Sequence, residues 1–179
     1  QQSLMYSKIK SAVQKRTHNV DKHVNKQVDK NFELNCKGYD FIPSVLPKVK
    51  RIVVLGDIHG DSEMLRRSLV LAKVLQVTAD PKWIEHSESY EWIAEEDTVV
   101  VQVGDQIDRC RPYKYTCDVA EATIDDEDSD VKILKFFTAL DKKAKEKKGR
   151  VISLLGNHEI LNSLGVMSYV SYEGRKGFE

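Results

Sequence analysis

The residues of this sequence best suited to chemistry fall in three short runs, each opened by a glycine. Gly56-Asp57-Ile58-His59-Gly60-Asp61 offers Asp57 and His59. Gly104-Asp105-Gln106-Ile107-Asp108-Arg109 offers Asp105, Asp108 and Arg109. Gly156-Asn157-His158-Glu159 offers Asn157 and His158. Carboxylate, imidazole and amide oxygen together make a donor set for divalent metals of the Mn, Fe or Zn type, not a thiolate site. Carboxylates gathered without a cation would repel one another and shift their own pKa values. Water bound at such metals reaches a pKa of ~7 in favourable sites. The planar fork of Arg109 matches phosphate oxygens. His158, given a carboxylate partner, can protonate a leaving alkoxide. The set describes metal-assisted hydrolysis of a phosphate ester.

Taken singly, each residue has an ordinary reading. Gly-Asp turns occur in many α/β proteins, a lone histidine is more often a hydrogen-bonded loop residue, and a lone arginine more often forms a surface ion pair. What favours chemistry is the position of the runs. Each follows a short apolar segment rich in β-branched residues: Arg51 to Leu55, Val99 to Val103 and Val151 to Leu155. Such segments read as buried strands. Gly104 lets the chain turn where the middle strand stops. The intervening segments read as helices. One is SEMLRRSLVLAKVL, capped by Asp61 or Ser62, with Met64, Leu65, Leu69, Ala72 and Leu75 on one face. The other carries Ile133, Phe136, Phe137, Leu140 and Ala144, with lysines in its last turns and Gly149 as its stop. Strand, helix, strand, helix, strand implies a parallel sheet with right-handed crossovers. All three polar turns then meet at one edge, where open α/β sheets bind ligands. Asp105, on the middle strand, is best placed to touch metals bound from either side.

The remaining stretches are less directive. Leu4 to about Phe32 lacks glycine and proline and repeats apolar residues at Met5, Ile9, Val13, Val20, Val24, Val28 and Phe32. The spacing favours a basic amphipathic helix, either a solvated extension carrying surface histidines His18 and His23 or a contact for a partner or membrane surface. Pro43 and Pro47 mark an extended linker. Val77 to Asp97, with Trp83-Ile84 and Trp92-Ile93, reads as a loop pinned by aromatic anchors, or else a lid, with His86 alone and exposed. Asp125 to Asp130 lacks the EF-hand pattern and reads as a solvated loop. Three cysteines are too few for a disulfide framework, so reduced thiols are the default, with a Cys110–Cys117 bridge the open alternative. A net charge of zero supplies no field that would attract nucleic acid, and no apolar run reaches the roughly 18 residues of a membrane span. No GxGxxG turn or Walker-type loop points to a nucleotide-binding protein.

GDIHGD, GDQIDR and GNHE resemble the three amino-terminal signatures of the calcineurin-like metallophosphoesterases in their phosphoprotein phosphatase form. The segment LLGNHEILNSLGVMSYV is similar to the Shewanella-like protein phosphatase branch, as is the Trp92-Ile93 pair ahead of the second motif. The resemblance covers about Arg51 to Val170. The acidic insertion is similar to versions carried by large DNA viruses. The resemblance implies an α/β fold, the parallel βαβαβ core of an α/β/β/α sandwich. It implies that residues 39–179 form the amino-terminal half of that domain; the basic helical extension, residues 1–38, lies outside the resemblance. By the same resemblance two divalent metal ions take part. Asp57 and His59 hold the first, Asp105 bridges both, and Asn157 binds the second metal and phosphate. Arg109 binds phosphate, and His158, oriented by Asp108, is the general acid. A metal-bridging hydroxide attacks phosphorus without a phosphoenzyme.

The implied substrate is a phosphorylated protein, of the serine/threonine class, or a small phosphomonoester; the small number of cysteines points to an intracellular, cytoplasmic setting. Two departures from the pattern carry consequences. Cys110 stands where the family has glycine, which would alter the turn behind Arg109. The remaining metal ligands and a second phosphate arginine are expected beyond residue 179, since His18, His23 and His86 do not match the later motifs. A non-catalytic binding or scaffold member of the same fold is the alternative reading.

Overall fold

Apolar strands that must satisfy every backbone donor and acceptor away from water pair with one another. The computed structural model describes residues 45–178 and, before them, residues 30–32, 34–37 and 42. The chain divides into two units, residues 1–48 and 49–179. In the first, the described residues include helical backbone closed by the Cys36 N–H donating to the Phe32 carbonyl at 2.7 Å. Most of the basic amphipathic helix expected from Leu4, with His18 and His23, lies outside the described residues.

In the second unit the elements run in order β1 (Arg51–Leu55), α1 (Ser62–Leu71), β2 (Leu75–Val77), β3 (Tyr90–Trp92), β4 (Thr98–Gln102), α2 (Asp130–Glu146), β5 (Arg150–Ser153), α3 (Asn157–Ser163) and α4 (Tyr172–Lys176). β1, β4 and β5 form one sheet with β4 central, and both pairings are parallel. Val53 registers with Val100, and Val100 with Val151. The expected strands are therefore present with shifted ends. Val103, Leu154 and Leu155 belong to the outgoing turns.

The helices cover one face of the sheet. Leu65 and Leu69 of α1, and Ile133, Leu140 and Ala144 of α2, are fully buried at 3.6-residue spacing. Each buried aliphatic side chain of this kind contributes about 1.5–3 kcal/mol. Phe136 packs edge-on against Trp83 and Tyr90 at 5.1 and 5.0 Å between centroids. The stretch from Val77 to Asp97 is thus anchored: Trp83 and Trp92 sit in the core, and β2 pairs antiparallel with β3. His86 is exposed as expected but not alone. Its Nδ1 lies 2.9 Å from Asp80 Oδ2, and this hydrogen bond raises the imidazole pKa. On the other face of the sheet, Ile52 and Val54 remain exposed.

The expected helix ends differ in two places. α1 stops at Leu71 instead of running to Leu75, because Lys73 adopts φ +51°. The Val74 N–H donates to the Leu69 carbonyl and the Lys73 N–H to the Val70 carbonyl, the paired bonds that close a helix through a left-handed residue. That closure releases Val74 and Leu75 for the hairpin. α2 closes in the same way through Lys148, at φ +56°, not through Gly149. Gly149 is needed for another reason. A β-carbon there would lie 2.8 Å from the Trp92 ring and 2.9 Å from the Thr98 carbonyl oxygen.

Candidate active site

The three polar turns leave the carboxyl ends of β1, β4 and β5 and are fastened to one another. The N–H groups of Ile58 and His59 both donate to the Asp105 carbonyl, at 2.9 and 3.0 Å, and the Gly60 N–H donates to Gln106 at 2.9 Å. Gln102, fully buried at the end of β4, donates from Nε2 to the carbonyls of Gly104 and Gly56 while its Oε1 accepts the Gly104 N–H. The Glu159 carboxylate accepts three backbone N–H groups: Asp105 at 2.9 Å, Gln106 at 2.7 Å and Gly156 at 2.6 Å. The second and third turns touch at two glycines. A β-carbon on Gly104, whose φ is +103°, would stand 2.3 Å from the Gly156 nitrogen. His59, Asp105 and Asp108 all take positive φ, at 48°, 53° and 71°. Non-glycine residues hold such backbone only where the surroundings over-determine it.

This framework brings His59, Asp105 and His158 together, with one ligand atom from each lying within 4.8 Å of the others. His59 Nδ1 is 3.1 Å from the Ile107 carbonyl oxygen. That oxygen only accepts, so Nδ1 carries the hydrogen and Nε2 keeps its lone pair. Asp57 Oδ2 is 3.6 Å from that Nε2, on a side chain 62% exposed. His158 lies edge-on to His59, centroids 4.8 Å apart, and edge-on to Tyr169 at 5.0 Å. Its Nδ1 is 2.8 Å from Asp108 Oδ2, and its backbone N–H donates to Asp105 Oδ1 at 3.0 Å. Asp108 is completely buried, and its Oδ2 also accepts Asn162 Nδ2 at 2.7 Å. Asn157 begins α3 and is exposed, outside the tight group. Arg109 Nη1 lies 3.3 Å from the Gly60 carbonyl oxygen, 3.4 Å from Glu127 Oε1 and 3.6 Å from Asp61 Oδ2.

Residues 50–179 match the family model described as calcineurin-like phosphoesterase. The chain belongs to that family. It is 30% identical over 132 residues to "Shewanella-like protein phosphatase 2" of Arabidopsis thaliana, an alignment covering 74% of this chain and 26% of the relative. It is 32% identical over 123 residues to "Shewanella-like protein phosphatase 1" of Plasmodium berghei (strain Anka), covering 68% and 25%. The alignments thus span about a quarter of these relatives' length. A cold-active protein-tyrosine phosphatase of a psychrophilic Shewanella species is similar at 21% identity with a TM-score of 0.48, over 80% of this chain and 38% of that one. The parallel core and its covering helices are those of the metallophosphoesterase fold.

Three expectations need correction. The acidic run is not a solvated loop. Glu127 accepts from the Ser62 hydroxyl at 2.6 Å, Asp126 accepts the Glu173 N–H at 2.8 Å, and Asp130 is 1% exposed. Two of the three cysteines are not free thiols: Cys110 and Cys117 form a disulfide, both buried, and Cys36 is free. Cys110 does not disturb the turn through a left-handed backbone, since it is absent from the residues at positive φ. Its N–H donates to the Tyr169 carbonyl at 3.1 Å, tying the residue after Arg109 to the segment that carries the ring against His158.

Four contributors escape a reading of motifs alone. A signal for Glu159 lies in its place at the third helical position of α3, from which a glutamate reaches back to the cap. Asn162 lies four residues after His158 on the same helical face. Gln102 shows only as a polar residue ending an apolar strand. Asp130 gave no local signal. No helix among the described residues is long and apolar enough to cross a membrane.

The donors fit a divalent cation. His59, fixed by a carbonyl at Nδ1, turns Nε2 toward the Asp57 carboxylate, and the Asp105 carboxylate completes the group. Family membership and this donor set agree.

Proposed function

We propose that the protein hydrolyses phosphate monoesters as a metal-dependent phosphoprotein phosphatase. The observation that carries this reading is the grouping of His59, Asp105 and His158 with Asp108 directly behind His158. Asp57, His59 and Asp105 would hold one divalent cation of the Mn, Fe or Zn type, and Asp105 and Asn157 would contribute to a second. When bound, such ions supply Lewis-acid charge and acidify water.

The protein's own groups do the rest. Arg109, with its guanidinium held from one side by Gly60, Asp61 and Glu127, presents its other donors to phosphate oxygens. Asp108 keeps the hydrogen of His158 on Nδ1, so Nε2 is the atom that gives a proton to the departing oxygen. Asn162 holds Asp108 in turn. The names of the relatives support a phosphorylated protein as substrate, with a small phosphomonoester as the simpler case. Residues 1–38 are proposed as a basic extension that meets a partner or membrane surface, and residues 39–179 as the phosphoesterase part.

The test uses the full-length protein with p-nitrophenyl phosphate and phosphoserine, phosphothreonine and phosphotyrosine peptides. A strong chelator abolishes turnover and manganese restores it, while His158→Ala lowers kcat by roughly 10²–10⁴. Turnover that persists without metal overturns the proposal. Metal binding without turnover would assign the chain to the alternative, a binding or scaffold member of the fold.

A further inference from the structure

Asp108 must hold His158 steady, yet its own backbone occupies the left-handed region at φ +71°. Nothing in its side chain fixes that conformation, because the carboxylate is engaged by His158 and Asn162. The fixing contact comes from another element. Asp130, the first residue of α2, points its Oδ2 at the Asp108 N–H, 3.2 Å away. The residue is 1% exposed, and its carboxyl is wedged between two glycines. A β-carbon on Gly60 would lie 2.6 Å from Oδ1, and one on Gly174 would lie 3.1 Å from Oδ2. Its neighbour Ser129 donates its hydroxyl to the Gly60 carbonyl. One carboxyl group therefore meets the first polar turn, the second polar turn and α4.

We propose that Asp130 is a positioning residue for the general acid, clamping the backbone of Asp108 so that its carboxylate stays aligned on His158 Nδ1. The inference rests on the catalytic roles proposed above for Asp108 and His158. A carboxyl at the start of a helix also complements the helix dipole, but the dipole does not account for the bond Asp130 accepts from the Asp108 N–H in another turn. Burial raises the Asp130 pKa to about 7, with the nearby Asp108 and Asp126 carboxylates adding to the rise against the opposing pull of the Asp108 N–H and Arg109. A carboxyl that keeps its proton up to about pH 7 sets less negative charge behind His158 than an ordinary aspartate would. The arrangement predicts that an amide will serve in its place.

The experiment compares Asp130→Asn, Asp130→Ala and Asp130→Ser in the full-length protein. Two readouts are taken: the kcat and KM for p-nitrophenyl phosphate, and the downfield proton resonance of the His158 Nδ1–H in metal-free protein. Asp130→Asn is expected to keep kcat within about twofold and to keep the resonance. Asp130→Ala is expected to lower kcat about tenfold or more with KM within about twofold, and to broaden the resonance by faster exchange with water. Asp130→Ser keeps a residue suited to a helix start but is too short to reach the Asp108 N–H, so it should behave as the alanine variant does. It decides the question if alanine fails to fold. A folded Asp130→Ser or Asp130→Ala protein with wild-type kcat and an unchanged resonance overturns the proposal. If the wild-type protein shows no metal-dependent turnover, the functional reading fails instead. The resonance, which needs neither metal nor substrate, still decides whether Asp130 positions Asp108 and His158.

Discussion

In the turn Gly104–Arg109 the carboxylates are placed by the strand that ends beneath them. In the run Asp125–Asp130 they are placed by partners far away in sequence: Glu127 meets Ser62 and Ser129 meets Gly60, 65 and 69 positions off. Both regions are acidic, and they meet where Asp130 accepts the Asp108 N–H. The first arrives by strand geometry, which is local and periodic. The second arrives by burial and hydrogen bonding, which leave no period to read. The turns are the part of the site set by the fold, and the acidic insertion is the part set onto it.

The comparison can be broken most severely at Glu159. Glu159→Ala strands three backbone donors between the second and third turns, and an uncompensated donor costs about 1–3 kcal/mol. A stability loss of roughly 3–5 kcal/mol in urea unfolding is expected. A loss below about 1 kcal/mol would mean that the strands alone hold the turns.

The insertion is tested next through pH. Asp130 has its pKa raised to about 7 in the folded protein, whereas an unfolded aspartate titrates near ~4. Between those values the folded state binds more protons. This group's stabilising contribution is therefore complete below about pH 4 and is lost as pH rises towards 7. Asp130→Asn removes that slope. Its stability relative to wild type should rise between pH 4 and pH 7, on the order of a few kcal/mol. Parallel stability curves for the two proteins would sink the assignment.

The smallest effect is expected at the disulfide. Reduction, or Cys117→Ser, frees a short loop and should lower stability by about 2 kcal/mol. Because Cys110 follows Arg109 directly, KM should rise more than kcat falls. An unchanged KM would show that the bridge serves stability alone.

Most of the fold could be read in advance because its signals are short-range. Val99, Val100 and Val101 announce β4, and Ile133, Phe136, Leu140 and Ala144 announce the buried face of α2. The convergence of Asp57, His59, Asp105, Asp108, Arg109, Asn157 and His158 then follows from strand order. Asp57 and Asn157 lie looser than the motifs imply, being exposed beside the tight group. What could not be read was decided by tertiary context. Lys73 and Lys148 end helices in a conformation usually given to glycine, and no propensity marks them. Asp130 carries a charge-bearing side chain into a fully packed setting, against the usual place of acids at the surface. The Cys110–Cys117 pairing was legible only as an open alternative, because the irregular residues between the two cysteines do not reveal the loop path that joins them.

The contact of Gly104 with Gly156 has a practical meaning for anyone redesigning this site. A β-carbon on Gly156 would fall 2.2 Å from Asp105 Oδ1, and one on Gly104 would strike the Gly156 backbone. The gap between the Asp105 carboxylate and the helix that carries His158 is therefore set by two missing methyl groups, and one added methyl at either glycine displaces both turns.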